Sequence, residues 1–139
     1  MKSFALDPRF ALKVAKKRAA RADKRVAVIF GAGWCPDSGA LDSALDHELV
    51  RPLVEPAFEV VKVNVGNRDK NLDLADELGL DPRRGIPALA ILEADGALVA
   101  SLSDGELANA RGMTPLEIAT LFHRLAKAAA PAPSETGDS

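Results

Sequence analysis

The chain is poor in the residues that usually staple, colour or charge a small domain. Its 139 residues include one cysteine, so no disulfide can form within it. Tyrosine is missing. One tryptophan and five phenylalanines hold aromatics to 4%, while hydrophobic residues reach 47%. The core must therefore be aliphatic, built from Ala, Val, Leu and Ile. Charge is nearly balanced, with 18 Lys and Arg against 20 Asp and Glu. That leaves no field of one sign to hold nucleic acid or an anionic membrane. No apolar run approaches the roughly 18 residues of a membrane span. The two histidines, His47 and His123, have no metal-ligand spacing to the cysteine or to an acid cluster. They read as structural or surface residues, and neither a metal nor a bound cofactor is expected. Met1 to Pro8 lacks the apolar stretch of a signal peptide. The compartment expected from this is the cytoplasm, or the periplasm if a leader has been removed.

What is present suits a single domain of residues 1–130, expected to be monomeric. Residues 131–139 contain no large apolar side chain, cannot offset the entropy of ordering, and are expected to be disordered. Asp7-Pro8 starts a helix, with a cap residue followed by proline at the first helical position. That helix is expected to run to about Ala22, with Phe10, Val14 and Ala11 inward. The basic cluster Lys13, Lys16, Lys17, Arg18, Arg21, Lys24 and Arg25 is read as the solvated face of this helix. Arg25 to Phe30 is a short apolar run, the mark of a strand buried on both faces. Gly31-Ala32-Gly33 ends it. A helix is expected from about Cys35 to Val50, with Leu41, Ala44, Leu45 and Leu49 on one face and Asp42, Asp46 and Glu48 on the wetter side.

Phe58 to Val65 alternates as a half-buried strand, with Val61, Val63 and Val65 on one side. A short helix closes at Gly79, capped by Asp69 or Asn71. Pro87 to Leu92 and Ala97 to Leu102 form a hairpin around Asp95-Gly96. Asp104-Gly105 marks another turn. Thr114-Pro115-Leu116-Glu117 is a capping box that opens a last helix to about Ala130. The predicted fold class is α/β: a four-stranded mixed sheet with helices on both faces, its first two strands a right-handed parallel crossover.

The chemistry gathers in Gly31-Ala32-Gly33-Trp34-Cys35-Pro36-Asp37-Ser38. A buried strand delivers the chain to a turn, and Cys35 opens a helix where unpaired N–H groups and the helix dipole favour an anion. The thiolate is the reactive form of cysteine. This segment resembles the Trp-Cys-x-x-Cys active site of the thioredoxin superfamily. Gly85-Ile86-Pro87-Ala88-Leu89-Ala90-Ile91-Leu92 resembles that superfamily's cis-proline strand. The two motifs come in the family's order, and the similarity extends over roughly Ala22 to Lys127. Taken together, the chain looks like the small thioredoxin-like proteins of bacteria. The resemblance implies a thioredoxin fold, a cis Ile86–Pro87 bond facing the sulfur, and a substrate groove lined by Trp34, Pro36, Ile86 and Pro87.

Two departures shape the expected function. Ser38 stands where the superfamily has its resolving cysteine. An alcohol cannot release a mixed disulfide, so two-thiol reduction is excluded. Ser38 is expected to assist by donating a hydrogen bond to the Cys35 thiolate. Where the superfamily often carries a buried acid in the first strand, this chain has Ile29, which leaves Lys62 in the second strand without its usual acidic neighbour. The expected activity is monothiol exchange: Cys35 attacks a protein or glutathione disulfide, and glutathione or another external thiol resolves the adduct. The alternative is a binding module that keeps the groove beside Pro87 and has lost catalysis. Glu106 and Arg111 are expected to pair in the loop after the last strand.

Overall fold

The computed structural model describes residues 3–103 and 106–129. The Asp104-Gly105 turn and the tail 131–139 lie outside the described residues. Helix α1 (Pro8–Ala22) is followed by β1 (Arg25–Gly31), α2 (Pro36–Leu45), α3 (Arg51–Val54), β2 (Phe58–Asn64), α4 (Leu72–Glu77), β3 (Ala88–Leu92), β4 (Leu98–Leu102) and α5 (Pro115–Lys127). The strands form one sheet in the order β2-β1-β3-β4. β1 pairs parallel with β2 and antiparallel with β3, and β3 pairs antiparallel with β4. This is the expected α/β thioredoxin fold.

Two aliphatic cores sandwich the sheet. Val26, Val28, Phe30, Val61, Val63, Ala88, Ala90 and Leu92 face Leu12, Ala15 and Ala19 of α1 and Leu74 and Ala75 of α4. The alternate residues Ala27, Ile29, Leu89 and Ile91 face Leu41, Leu45, Val50, Val54, Ile118, Phe122 and Leu125. Phe58 and Phe122 meet edge to face, with ring centroids 5.8 Å apart. Arg25, at the start of β1, donates to the carbonyls of Leu125 and Ala128 and so satisfies acceptors that the end of α5 leaves open. The capping box of Thr114 and Glu117 is complete at the other end.

The structure corrects the inward stripe of α1. Leu12, Ala15 and Ala19 are buried, and Phe10 is 62% exposed. Small residues on that face let the helix lie close on the sheet. The second helix is also shorter than expected. It ends at Leu45, where the amides of Asp46 and His47 bond back to Ser43 and Ala44 in a tightened last turn. The break turns Val50 into the core and leaves Leu49 53% exposed. Pro52 then sits in the first turn of α3, a position that tolerates its missing N–H. In α4, Asn71 takes the cap position in a left-handed conformation without a side-chain cap bond. Gly79, at φ +78°, closes that helix as expected.

Phe122 is fully buried and Leu116, on the same helix, is 66% exposed. Phe122→Ala should therefore lower the unfolding free energy by about 3–5 kcal/mol. Leu116→Ala should change it by less than about 0.5 kcal/mol. Urea titration of both variants checks the pair.

Candidate functional site

The chain is buried from Val26 through the end of β1 to Ala32, and the end of the strand places Cys35 at the edge of the sheet. The Cys35 amide bonds to the Ala32 carbonyl at 3.2 Å, which closes the turn. Cys35 then caps α2 in an extended conformation, and Pro36 takes the first helical position. The sulfur fills the role an oxygen usually plays at a cap, accepting from the Ser38 amide at 3.4 Å. On its other side it lies 3.9 Å from the carbonyl oxygen of Ile86. The Ile86–Pro87 bond is cis. Cys35 is 6% exposed, between exposed Trp34 and exposed Pro36. The structure thus brings together Cys35, Ser38 and Ile86, with Trp34 and Pro36 beside the sulfur in the chain and Pro87 following Ile86.

Ser38 is fully buried, and its hydroxyl oxygen accepts from the Ala32 amide at 3.3 Å. Its bond to the sulfur comes from the backbone N–H. The side chain therefore ties the end of β1 to the first turn of α2. That placement differs from a hydroxyl donating to the sulfur.

Two charged contacts were not anticipated. Asp42, expected on the wet side of its helix, is buried and pairs with Lys62 at 2.5 Å. Lys62 lies beside Ile29 in the β1–β2 register. It therefore has an acidic neighbour after all, supplied by α2 instead of β1. The helical spacing carried the signal: Ser38, Leu41, Asp42 and Leu45 fall on one face, and all four are buried. Arg111 turns to Asp37, whose carboxylate accepts from the Arg111 amide at 3.0 Å and lies 3.8 Å from its Nε. The contact holds a 3-10 turn, Ala110–Gly112, against α2.

A loop from Gly66 to Asn71 borders Trp34. The indole Nε1 donates to the Gly66 carbonyl at 2.7 Å, and the Arg68 guanidinium lies over the ring, 5.5 Å from its centroid. The loop is tied internally. Asn64 Oδ1 accepts from the Gly66 amide, Asp69 Oδ1 from the Asn67 amide, and Asn71 Nδ2 donates to the Asn64 carbonyl. On the approach to Ile86, Arg83 holds the Asp81 carboxyl below its ordinary range, through its side-chain donor first and its backbone amide second. His47 accepts from the Leu49 amide in the turn after α2, and His123 is exposed on α5. Among the described residues, no cluster of His, Cys, Asp and Glu is placed to hold a metal ion. No described helix is long and apolar enough to cross a membrane.

A cysteine that caps the helix after a central strand, beside a cis-proline bond on the antiparallel neighbour, defines a thioredoxin-like site. The chain belongs to the thioredoxin-like family, whose model matches residues 7–94. Among solved structures it is similar to a disulphide isomerase from Xylella fastidiosa Temecula1, with 38% identity and a TM-score of 0.83 over 89% of this chain and 95% of that one. It is also similar to the C-terminal domain of Neisseria meningitidis DsbD. The reduced form gives 26% identity and a TM-score of 0.52 over 68% of this chain and 79% of that one. The oxidised form, at 21% identity, a TM-score of 0.55 and coverage of 76% and 94%, shares the fold. No curated protein matches the chain in sequence.

Two stability predictions come from these contacts. Ser38→Ala leaves the buried Ala32 amide without its acceptor and should cost about 1–3 kcal/mol by urea titration. Asp42→Ala strands Lys62, whose side chain keeps 20% exposure. The expected loss is about 2–3 kcal/mol, at or below the lower end for a fully buried pair. The Asp42→Leu, Lys62→Leu double variant should be more stable than Asp42→Ala. A double variant at least as unstable as Asp42→Ala would show that the pair is not what the site spends its stability on.

Proposed function

We propose that the chain is a thiol–disulfide exchange protein working through the single sulfur of Cys35. The observation that carries this is the double placement of that sulfur, under the Ser38 N–H at a helix start and 3.9 Å from the Ile86 carbonyl beside a cis bond. The amide contact is the one a thiolate keeps and strengthens, because an anion accepts a hydrogen bond more strongly than a neutral thiol. The 38% identity to a disulphide isomerase over most of both chains supports the same reading.

The exchange runs in two balanced steps. The Cys35 thiolate attacks one sulfur of a substrate disulfide. A new S–S bond forms to Cys35, the substrate bond breaks, and its electron pair leaves with the second substrate thiolate. With Ser38 unable to attack, an external thiolate then attacks the mixed disulfide, bonds to the substrate sulfur and returns Cys35 as the thiolate. Glutathione is the external thiol proposed, with protein or glutathione disulfides as partners. Trp34, Pro36, Ile86 and Pro87 form the groove that receives them, and the chain acts as a monomer without a bound cofactor. The proposed setting is thiol redox homeostasis in the cytoplasm, or in the periplasm if a leader precedes the chain.

The near-complete cover over Cys35 favours one rival, a binding module that uses the same groove without turnover. A glutathionylated protein substrate with reduced glutathione separates the two. Wild type should release the protein thiol at least tenfold faster than Cys35→Ala. Equal rates, together with a stable partner that survives Cys35→Ala, would leave the binding module standing and remove exchange. Ser38→Cys supplies the missing resolver and should add reduction of protein disulfides without glutathione as the resolving thiol.

A further inference from the structure

The lip of the site carries a cation that the exchange chemistry does not use. Arg68 lies over the indole of Trp34, one residue from the reactive sulfur. Among the described residues, no carboxylate lies within ion-pair distance of it, and its guanidinium donates no hydrogen bond. Asp69, the carboxylate next to it in the chain, is engaged by the Asn67 amide. An aromatic face attracts a cation without neutralising it and limits where the long side chain can swing.

The surroundings fix this position from both sides. Trp34 is anchored by its Nε1 bond to Gly66, in the same loop that carries Arg68. Arg68 itself has φ +64°, a left-handed conformation uncommon for a residue with a side chain. The Asn64 and Asn71 bonds on either side hold the backbone there. Five donors in a planar fork, left without an acceptor beside Trp34, suit a carboxylate.

We infer that Arg68, stacked on Trp34, selects disulfide substrates that carry a carboxylate close to the sulfur Cys35 attacks. This rests on the exchange reading above and gives it a substrate class. The carboxylate comes either from an acidic side chain next to a cysteine in a polypeptide or from the carboxylates of glutathione. The chemistry at Arg68 is the same for both.

The test uses 2-pyridyl disulfide probes in two arms. One arm compares acetyl-Gly-Cys-Glu-amide with acetyl-Gly-Cys-Gln-amide. The other compares glutathione with its dimethyl ester. The Cys35 thiolate attacks the probe's cysteine sulfur, the bond to the pyridyl sulfur breaks, and the electron pair leaves as 2-thiopyridone, whose absorbance is followed. Wild type should react about threefold to tenfold faster with the acidic probe at low ionic strength, and the ratio should shrink as salt is added. In Arg68→Gln the ratio should fall to about 1 through a slower reaction with the acidic probe. Arg68→Lys should keep part of it. A preference confined to one arm and lost in Arg68→Gln supports the inference and names the source of the carboxylate. Equal rates for acidic and neutral probes in wild type overturn it, as does a preference that survives Arg68→Gln. Failure of every probe to react above the Cys35→Ala background removes the exchange reading and this inference with it. That outcome is distinct from fast reaction without preference.

Discussion

The position of the sulfur depends on one constraint, the complete burial of β1 between two helical layers. Val26, Ala27, Val28, Ile29 and Phe30 are all fully covered, so the strand cannot slip or turn over without putting apolar side chains into water. Its end is therefore fixed at one edge of the sheet. The antiparallel register pairs Phe30 with Ala88, so β3 begins at that same edge. The residues just outside the two strands, Cys35 on one side and Ile86–Pro87 on the other, must then meet. The parallel register brings the end of β2 to the same place, since Gly31 pairs with Asn64. This is why the Gly66–Asn71 loop reaches Trp34. Three separate stretches of sequence converge on the thiol because one strand is held on both faces.

Charge near the site is handled by pairing across elements. Asp42 would be a poor core residue alone, since an unpaired buried carboxylate is costly. Lys62 makes it tolerable, and the pair ties α2 to β2. Asp37 sits in the first turn of α2, where the helix dipole favours a negative group, and Arg111 draws it toward the 3-10 turn before α5. Both contacts hold α2, the helix whose first residue follows the sulfur. Arg68 is handled differently, by an aromatic face instead of an acid.

The elements that were legible in the chain are those with strong periodic or capping signals. The doubly buried run of β1, the alternation of β2, the Asp95-Gly96 hairpin and the Thr114 capping box depend on local chemistry and stand where the sequence places them. The order of those elements was enough for the fold. The details that escaped depend on choices between nearby alternatives. Phe10 looked like an anchor by size, yet the sheet accepts the smaller stripe of Leu12, Ala15 and Ala19. Asp42 shares a side of α2 with Ser38 and Leu45 and lies inside, not with Asp46 and Glu48 on the wetter side. The partner that permits this, Lys62, is remote in sequence. Arg68 gave no local signal at all, since its role comes from a ring more than thirty positions earlier.

Ser38 shows how the second thiol can be missing without leaving the site incomplete. A cysteine sulfur is a weak acceptor, and a hydroxyl is a good one. With serine, the buried Ala32 amide has a firm partner, and the turn from β1 into α2 is tied through a side chain. The same residue's backbone N–H serves the Cys35 sulfur. One residue thus makes two contacts, its side chain with the end of β1 and its main chain with the Cys35 sulfur. A cysteine at this position would add a second thiol but weaken the bond that holds the Cys35 turn. The serine therefore leaves the turn that carries Cys35 fully bonded with one thiol in the chain.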